Sequence, residues 1–343
     1  MGNRDILAIG ASAGGVEALT QLVGGFRREF PASVLVTLHL SSHFQSSLDE
    51  LLSRAGALPA EFARDGELLR KGRIYIAPPD RHLLVDGSRV LLGTGPRENR
   101  SRPAIDPMLR SAALCCCHRT IGVVLTGGLG DGASGLWTVK QCGGITVVQD
   151  PRGAAFPEMP QTALQRLEPD HVVDLEQMPA LLESLVHQPS GEPDGVPAGV
   201  RFEVDMARGG GGASMQQMDA LGRRSVLSCP DCHGVMWEID EGELSRYRCH
   251  VGHTYVADLM SLALDEDLRR ALGSAQRALE ERAALAAKLH RQAEQSGHQL
   301  MMSTWSARMR EYQREMNVIR DAIKRMEEIA AREELQRVQP TGT

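Results

Sequence analysis

Between Asp5 and about Leu185, short β-branched runs alternate with stretches of helical spacing, and this alternation limits the fold more than any other feature. The expected strands are Ile6–Ile9, Ser33–Leu38, Arg73–Ala77, Arg89–Leu92, Ile121–Thr126, Ile145–Val148 and His171–Asp174. Helical spacing lies between several of them, as in Val16–Phe26 and Pro107–Cys117. Strands that alternate with helices imply an α/β fold, a doubly wound and mostly parallel sheet covered on both faces. Such a sheet places its active site outside the carboxyl ends of its strands.

The remainder of the 343 residues is organised differently. HQPSGEPDGVPAG (187–199) and the run Arg208-Gly209-Gly210-Gly211-Gly212 are rich in Pro and Gly and read as a linker. A cysteine module follows, and then a strongly helical tail. The expected division is 1–186 catalytic, 187–224 linker, 225–258 zinc-binding and 259–337 helical hairpin or coiled coil. In the tail Met302, Trp305, Met309, Tyr312, Met316, Ile319, Ile323, Met326 and Ala330 recur at steps of three and four. Leu272, Ala275, Leu279, Ala286, Leu289 and Ala293 follow a similar course, with Arg282 interrupting. One apolar stripe per helix suits a pair that packs on itself or self-associates with a twin chain. Ser296-Gly297-His298 is the natural break.

A net charge of -6 argues against nucleic acid as a partner, because phosphate binding wants a basic face. No stretch approaches the roughly 20 apolar residues that cross a bilayer. The start MGNRDILAIGAS has neither a secretory cleavage pattern nor the hydroxyl residue that myristoylation wants where Ile6 stands. A cytoplasmic protein without membrane insertion is expected. The seven cysteines form no disulfide framework. Cys115, Cys116, Cys117 and Cys142 sit among apolar residues, as small buried hydrophobes do.

Gly10-Ala11-Ser12-Ala13-Gly14-Gly15 directly follows the first strand and opens the first helix. Its glycines allow a tight strand-to-helix turn that lifts Ser12 above the sheet edge, beside free N–H groups able to hold an oxyanion. The string satisfies the G-x-S-x-G elbow of serine nucleophiles. The competing reading is a nucleotide-binding oxidoreductase. Its G-x-G-x-x-G fingerprint would need Gly where Ser12 stands, and no tyrosine here has Lys four residues on.

A serine needs a base, and the base an orienting acid. His39 ends the Ser33–Leu38 strand, at the same edge as Ser12 if the two strands run parallel. His171 precedes its strand and belongs to the opposite edge. His43 and His82 stand further from a strand end and remain alternatives. The acid candidate is Asp131, in a glycine-rich turn (Gly127 to Gly132) after another strand. Capping a helix that starts near Ala133 is the alternative role for Asp131.

Cys229-x2-Cys232-x16-Cys249-x3-His253 has four-ligand zinc spacing, with His250 as an alternative fourth ligand. With no open position, the zinc would be structural.

Residues 5–185 resemble the catalytic domain of chemotaxis protein-glutamate methylesterases. The resemblance rests on IGASAGGVEAL, the His39 strand end, APPDRHLLV, SRPAIDPMLRSAA, VVLTGGLGDGASGL and VVQDPRGAAFPEMPQTAL, in that order. It implies a Ser-His-Asp hydrolase, with Ser12, His39 and Asp131 in those roles and no cofactor in the chemistry. Such an enzyme demethylates glutamyl esters on chemoreceptor-type partners in signal adaptation, with glutaminyl deamidation as a harder relative. Two departures bear on the oxyanion hole and substrate fit. Ala13 stands where members often have Thr, and Gly127-Gly128-Leu129-Gly130 where they often have Gly-Met-Gly-Asn. The chain starts almost at the first strand, so a stand-alone form without a receiver domain is expected. The C-terminal half resembles extensions on stand-alone members. The alternative function is an interaction or sensing scaffold whose zinc module and tail bind a partner.

Overall fold

A computed structural model describes residues 2–39, 46–191, 195–197, 199–241 and 244–338. In chain order the first part runs β1 (Ile6–Ala11), α1 (Gly15–Gly24), β2 (Ser33–Leu38), α2 (Leu48–Ala55), β3 (Ala60–Phe62), β4 (Arg73–Ile76), β5 (His82–Asp86), β6 (Arg89–Gly93), α3 (Ile105–Cys116), β7 (Thr120–Val124), α4 (Ala133–Gln141), β8 (Ile145–Gln149), α5 (Glu158–Arg166), β9 (His171–Val173) and α6 (Met178–His187).

Seven of these strands form one sheet in the order β3-β4-β2-β1-β7-β8-β9, with every neighbouring pair parallel. The period of two along each strand divides its side chains between two cores. Leu7, Ile9, Val34, Val36, Ile121 and Val123 pack with α1, α2 and α6. Ile6, Ala8, Leu35 and Val124 pack with α3, α4 and α5. Burial on both faces explains why β1 and β2 read as nearly unbroken apolar runs. The chain winds outward from β1 through β2, then returns to β7 on the other side of β1. The winding therefore reverses at β1, the kind of switch point at which sheets of this class bind ligands, outside the carboxyl ends of their strands.

Two expectations need correction. Arg89–Leu92 does not join the parallel sheet. It pairs antiparallel with His82–Asp86 as a separate hairpin, β5-β6, turning at Gly87-Ser88 with Gly87 at φ 62°. A two-residue turn with positive φ at its first position matches the right-handed twist of the flanking strands. Residues 187–224, expected as a linker, contain α7 (Val200–Arg208) and α8 (Met215–Leu221). The glycines that suggested flexibility cap α7 instead, Gly199 at φ 100° and Gly209 at φ 102°. Val200, Val204, Met206 and Ala207 are buried, and β6 is followed by Thr94 and Gly95, whose N–H groups donate to Arg208 O and Ala207 O at 3.1 and 3.0 Å.

An antiparallel sheet follows, β10 (Arg223–Ser228), β11 (Val235–Glu241), β12 (Leu244–Cys249) and β13 (Thr254–Val256), in sequence order. The chain divides into two compact units, one up to Met260 and one from Ser261 onward. The second holds most of α9 (Ala257–Gln295) and all of α10 (Gln299–Val338), joined at Ser296-Gly297-His298 as the seam predicted. Gly297 sits at φ 66°, and the N–H of His298 reaches back to Ala293 O at 3.0 Å to close α9. On the seam Leu279, Ala286, Ala293 and Met316 are buried.

Candidate active site

Three loops bring chemistry to the carboxyl edge. Ser12 stands just past β1, at the start of α1. Gly10 is required there because a Cβ would lie 2.2 Å from Ile105 Cγ2, and Gly14 because it adopts φ 70°. Gly127, after β7, comes so close that a Cβ would lie 2.9 Å from Ser12 Cβ. The Ser12 N–H donates to Thr126 O at 3.0 Å, which ties the turn to the neighbouring loop. The Thr126 hydroxyl in turn donates to Ala13 O at 3.1 Å. Among the described residues, the N–H groups of Ala13 and Gly14, the two amides after Ser12 at the N-terminus of α1, donate no hydrogen bond.

His39 follows β2 and is one-fifth exposed, the side chain at 20 %. Its Nδ1 lies 2.9 Å from Ser12 Oγ and its Nε2 lies 2.7 Å from Asp131 Oδ2. Ionised Asp131 can only accept, so Nε2 carries the proton and Nδ1 offers its lone pair to the hydroxyl. The structure thus joins the three residues predicted as nucleophile, base and acid into one relay.

Asp131 is 2 % exposed and collects donors. Its Oδ2 accepts from Ile105 N–H at 2.7 Å as well as from His39. Its Oδ1 accepts from Asn99 Nδ2, Gly132 N–H and Asp106 N–H at 3.0, 3.0 and 3.2 Å. Burial pushes its pKa up, but the hydrogen bond and charge of His39, with the Ile105 and Asn99 donors, hold it down at about 2. Asp131 does cap a helix, but the helix is α3, whose first-turn amides belong to Ile105 and Asp106, rather than α4. The positive end of α3 therefore aims at the carboxylate.

Behind it lies Asp106, fully buried, whose oxygens accept from Gly135 N–H at 2.7 Å and Asn99 Nδ2 at 3.0 Å. Burial, and the Asp131 charge beside it, push the Asp106 carboxyl up to about 8. The other histidines fall away from the relay. His82 is buried, its Nε2 2.9 Å from Pro96 O and its Nδ1 accepting from Ala104 N–H at 3.3 Å. His171 opens β9, at the opposite edge. His43 lies outside the described residues.

Cys229, Cys232, Cys249 and His253 converge, with all four donor atoms within 4.8 Å of one another, and His250 is not in the group. One pair of these residues, Cys229 and Cys232, lies in the β10–β11 turn, and the other, Cys249 and His253, comes from the end of β12 and the β12–β13 turn.

Sequence reasoning missed what lies between this module and the relay. Seven buried charged side chains alternate in sign across it. Arg110 of α3 pairs with Glu98, whose other oxygen meets Arg248 of β12 at 2.7 Å. Glu203 of α7 lies 3.1 Å from Arg248 and 2.7 Å from Arg246. Arg246 meets Glu241 of β11 at 2.6 Å, and Glu241 meets Arg166 of α5 at 2.8 Å. None of these side chains is more than 4 % exposed. Charged residues carry no periodic signal when their partners are remote, as with Glu98 and Arg248. Asn99 and Asp106 were missed for the same reason.

A hydroxyl, an imidazole and a carboxylate joined in that order at the carboxyl edge of a doubly wound sheet form the arrangement of the serine hydrolases. Comparison with known proteins is more specific. The profile of the family described as CheB methylesterase matches residues 7–182. A Methanosarcina mazei protein-glutamate methylesterase/protein-glutamine glutaminase is 36% identical over 183 residues, covering 51% of this chain and 50% of its own length. A putative enzyme of the same name from Leptospira interrogans is 32% identical over 180 residues, covering 52% of this chain and 93% of its own length. The crystal structure of the Thermotoga maritima CheB methylesterase catalytic domain superposes with a TM-score of 0.51 at 33% identity, covering 54% of this chain and 100% of that one. The chain belongs to the CheB methylesterase family. It spans about half the length of several of its curated relatives.

Proposed function

We propose that the chain is a protein-glutamate methylesterase that demethylates glutamyl methyl esters on a chemoreceptor-type protein, with deamidation of glutaminyl side chains as a second activity. The observation that carries this reading is the Ser12–His39–Asp131 relay, with its 2.9 and 2.7 Å links, in a chain of this family. Ser12 Oγ attacks the ester carbonyl while His39 Nδ1 takes its proton. The N–H groups of Ala13 and Gly14, which donate no hydrogen bond among the described residues, would hold the developing oxyanion. The tetrahedral intermediate collapses, the C–OCH3 bond breaks, and His39 returns the proton to the departing methanol. Water then attacks the acyl-serine with His39 as base, which frees the glutamate and restores Ser12. Asp131 holds the imidazole in the useful tautomer and stabilises its cationic form.

A fluorophosphonate probe tests the relay and the substrate class together. Ser12 Oγ forms a bond to phosphorus, fluoride leaves, and His39 takes the proton. Labelling at Ser12 that stops methanol release from a methylated receptor fragment is the expected outcome. Methanol release that continues from fully labelled protein would sink the proposal.

We also propose that the cysteine module holds a structural zinc ion. Zinc–sulfur bonds of about 2.3 Å place tetrahedral sulfurs about 3.8 Å apart, and a sulfur about 3.5 Å from an imidazole nitrogen. Here Cys232 and Cys249 sulfurs lie 3.6 Å apart, and His253 Nδ1 lies 3.6 and 3.5 Å from those of Cys229 and Cys249. Metal analysis should find one zinc per chain, lost in Cys249→Ser; native protein without zinc would refute the assignment. Among the described residues no helix is long and apolar enough to cross a membrane. The proposed location is the cytoplasm.

A further inference from the structure

We propose that Asn99 is a positioning residue for the Ser12–His39–Asp131 relay and that the metal-bearing module holds it there, so that metal loading sets the reactivity of Ser12. The inference rests on the proposed hydrolase chemistry and adds to it a physical link between two sites far apart in the chain.

The link is short. Asn99 Nδ2 donates to Asp131 Oδ1 and to Asp106 Oδ2, each at 3.0 Å. Its Oδ1 accepts from the N–H of Val256 at 3.1 Å, and its own N–H donates to Thr254 O at 2.8 Å. The orientation of the amide follows from its partners, since ionised Asp131 can only accept and a backbone N–H can only donate. Asn99 is 5 % exposed and stands at φ 48°, a left-handed conformation that asparagine tolerates better than most residues. Besides His39, it is the side chain that donates to Asp131 among the described residues.

The module grips this point beside two of its metal ligands. Thr254 follows His253, and Arg248 precedes Cys249. Thr254 holds Asn99, and Arg248 holds Glu98, the residue before it, at 2.7 Å. The ligand turn is closed by Cys249 N–H to His253 O at 3.0 Å and Gly252 N–H to Cys249 O at 2.9 Å. A metal bound through Cys249 and His253 pins both ends of that turn. Without it, the turn and the strand β13 behind it lose their constraint, and Asn99 loses the groups that hold it against Asp131.

The test uses the full chain, zinc-loaded, and follows Ser12 labelling by the fluorophosphonate, which needs no receptor. Loss of one hydrogen bond to a charged group predicts a fall of about 10- to 100-fold in the maximal labelling rate of Asn99→Leu. Probe affinity should not change, because Asn99 does not face the hydroxyl. The downfield proton resonance of His39 Nε2–H should shift in the variant. Chelation of the wild type should slow labelling to a similar degree and raise amide exchange at Asn99, while chelation of Asn99→Leu should add less than about a two-fold change. Labelling of Asn99→Leu at the wild-type rate overturns the proposal. So does stripped wild type that labels at full rate with the Asn99 amide still protected, a comparison that stands even if the variant does not fold. A wild type that never labels would remove the hydrolase reading itself, which separates the two failures.

Discussion

On the proposed mechanism, Ser12→Ala should abolish methanol release and leave the protein folded. In another serine hydrolase, loss of the nucleophile cost about a million-fold in turnover, and the same order is expected here. The reason is positional. Ser12 Oγ is the group that His39 Nδ1 meets at 2.9 Å, and alanine offers nothing in its place. Water could still be activated by His39, but it would lack the fixed approach that the β1 turn gives Oγ. The fold should not notice, because the turn is held by backbone: Ser12 N–H to Thr126 O at 3.0 Å and Gly15 N–H to Ser12 O at 2.8 Å. Methanol release by the purified variant, with its thermal melt as control, checks both halves. Turnover within ten-fold of wild type would end the serine mechanism.

Glu203→Ala should lower the stability of the first unit by about 3–5 kcal/mol, the usual cost of breaking a buried ion pair from one side. Glu203 is 3 % exposed and answers two guanidinium groups, Arg246 at 2.7 and 2.8 Å and Arg248 at 3.1 Å. Its removal leaves both cations in a dry interior with fewer partners. The contrast is Arg54→Ala, which breaks the pair with Glu50 on the surface, where the side chains are 78% and 64% exposed. That loss should stay below about 0.5 kcal/mol. The urea dependence of amide exchange in β11 and β12 gives the opening free energy. A change below 1 kcal/mol for Glu203→Ala would mean that water reaches the chain of charges.

Much of the fold is legible along the chain because burial on both faces writes strands as apolar runs. Ser33–Leu38 agrees at both ends, and Ile6–Ile9 lacks only its last two residues, Gly10 and Ala11. The hairpin was misplaced although Gly87-Ser88 is a recognised two-residue turn signal, because the run at 82–86 was not seen as its partner. β3 was missed because three residues at the sheet edge carry too little pattern. For the site, the rule that strand ends share an edge brings Ser12 and His39 together, and the glycine-rich turn brings Asp131. Cysteine spacing groups the four metal-ligand candidates, though it left His250 open beside His253. Nothing local marks α7, because its role depends on Glu203 finding arginines more than forty residues away. Nor does anything local mark Asn99, whose partners lie in α3, the Asp131 turn and β13.

The alternating chain of buried charges has a practical consequence for anyone who trims this protein. Cutting at residue 186 would return Glu98, Arg110 and Arg166 to solvent as one anion against two cations, and would strip Asn99 of its hold on β13. The isolated N-terminal fragment would thus carry an unbalanced wound beside its own reactive edge. Its kinetics would describe an injured enzyme rather than a minimal one.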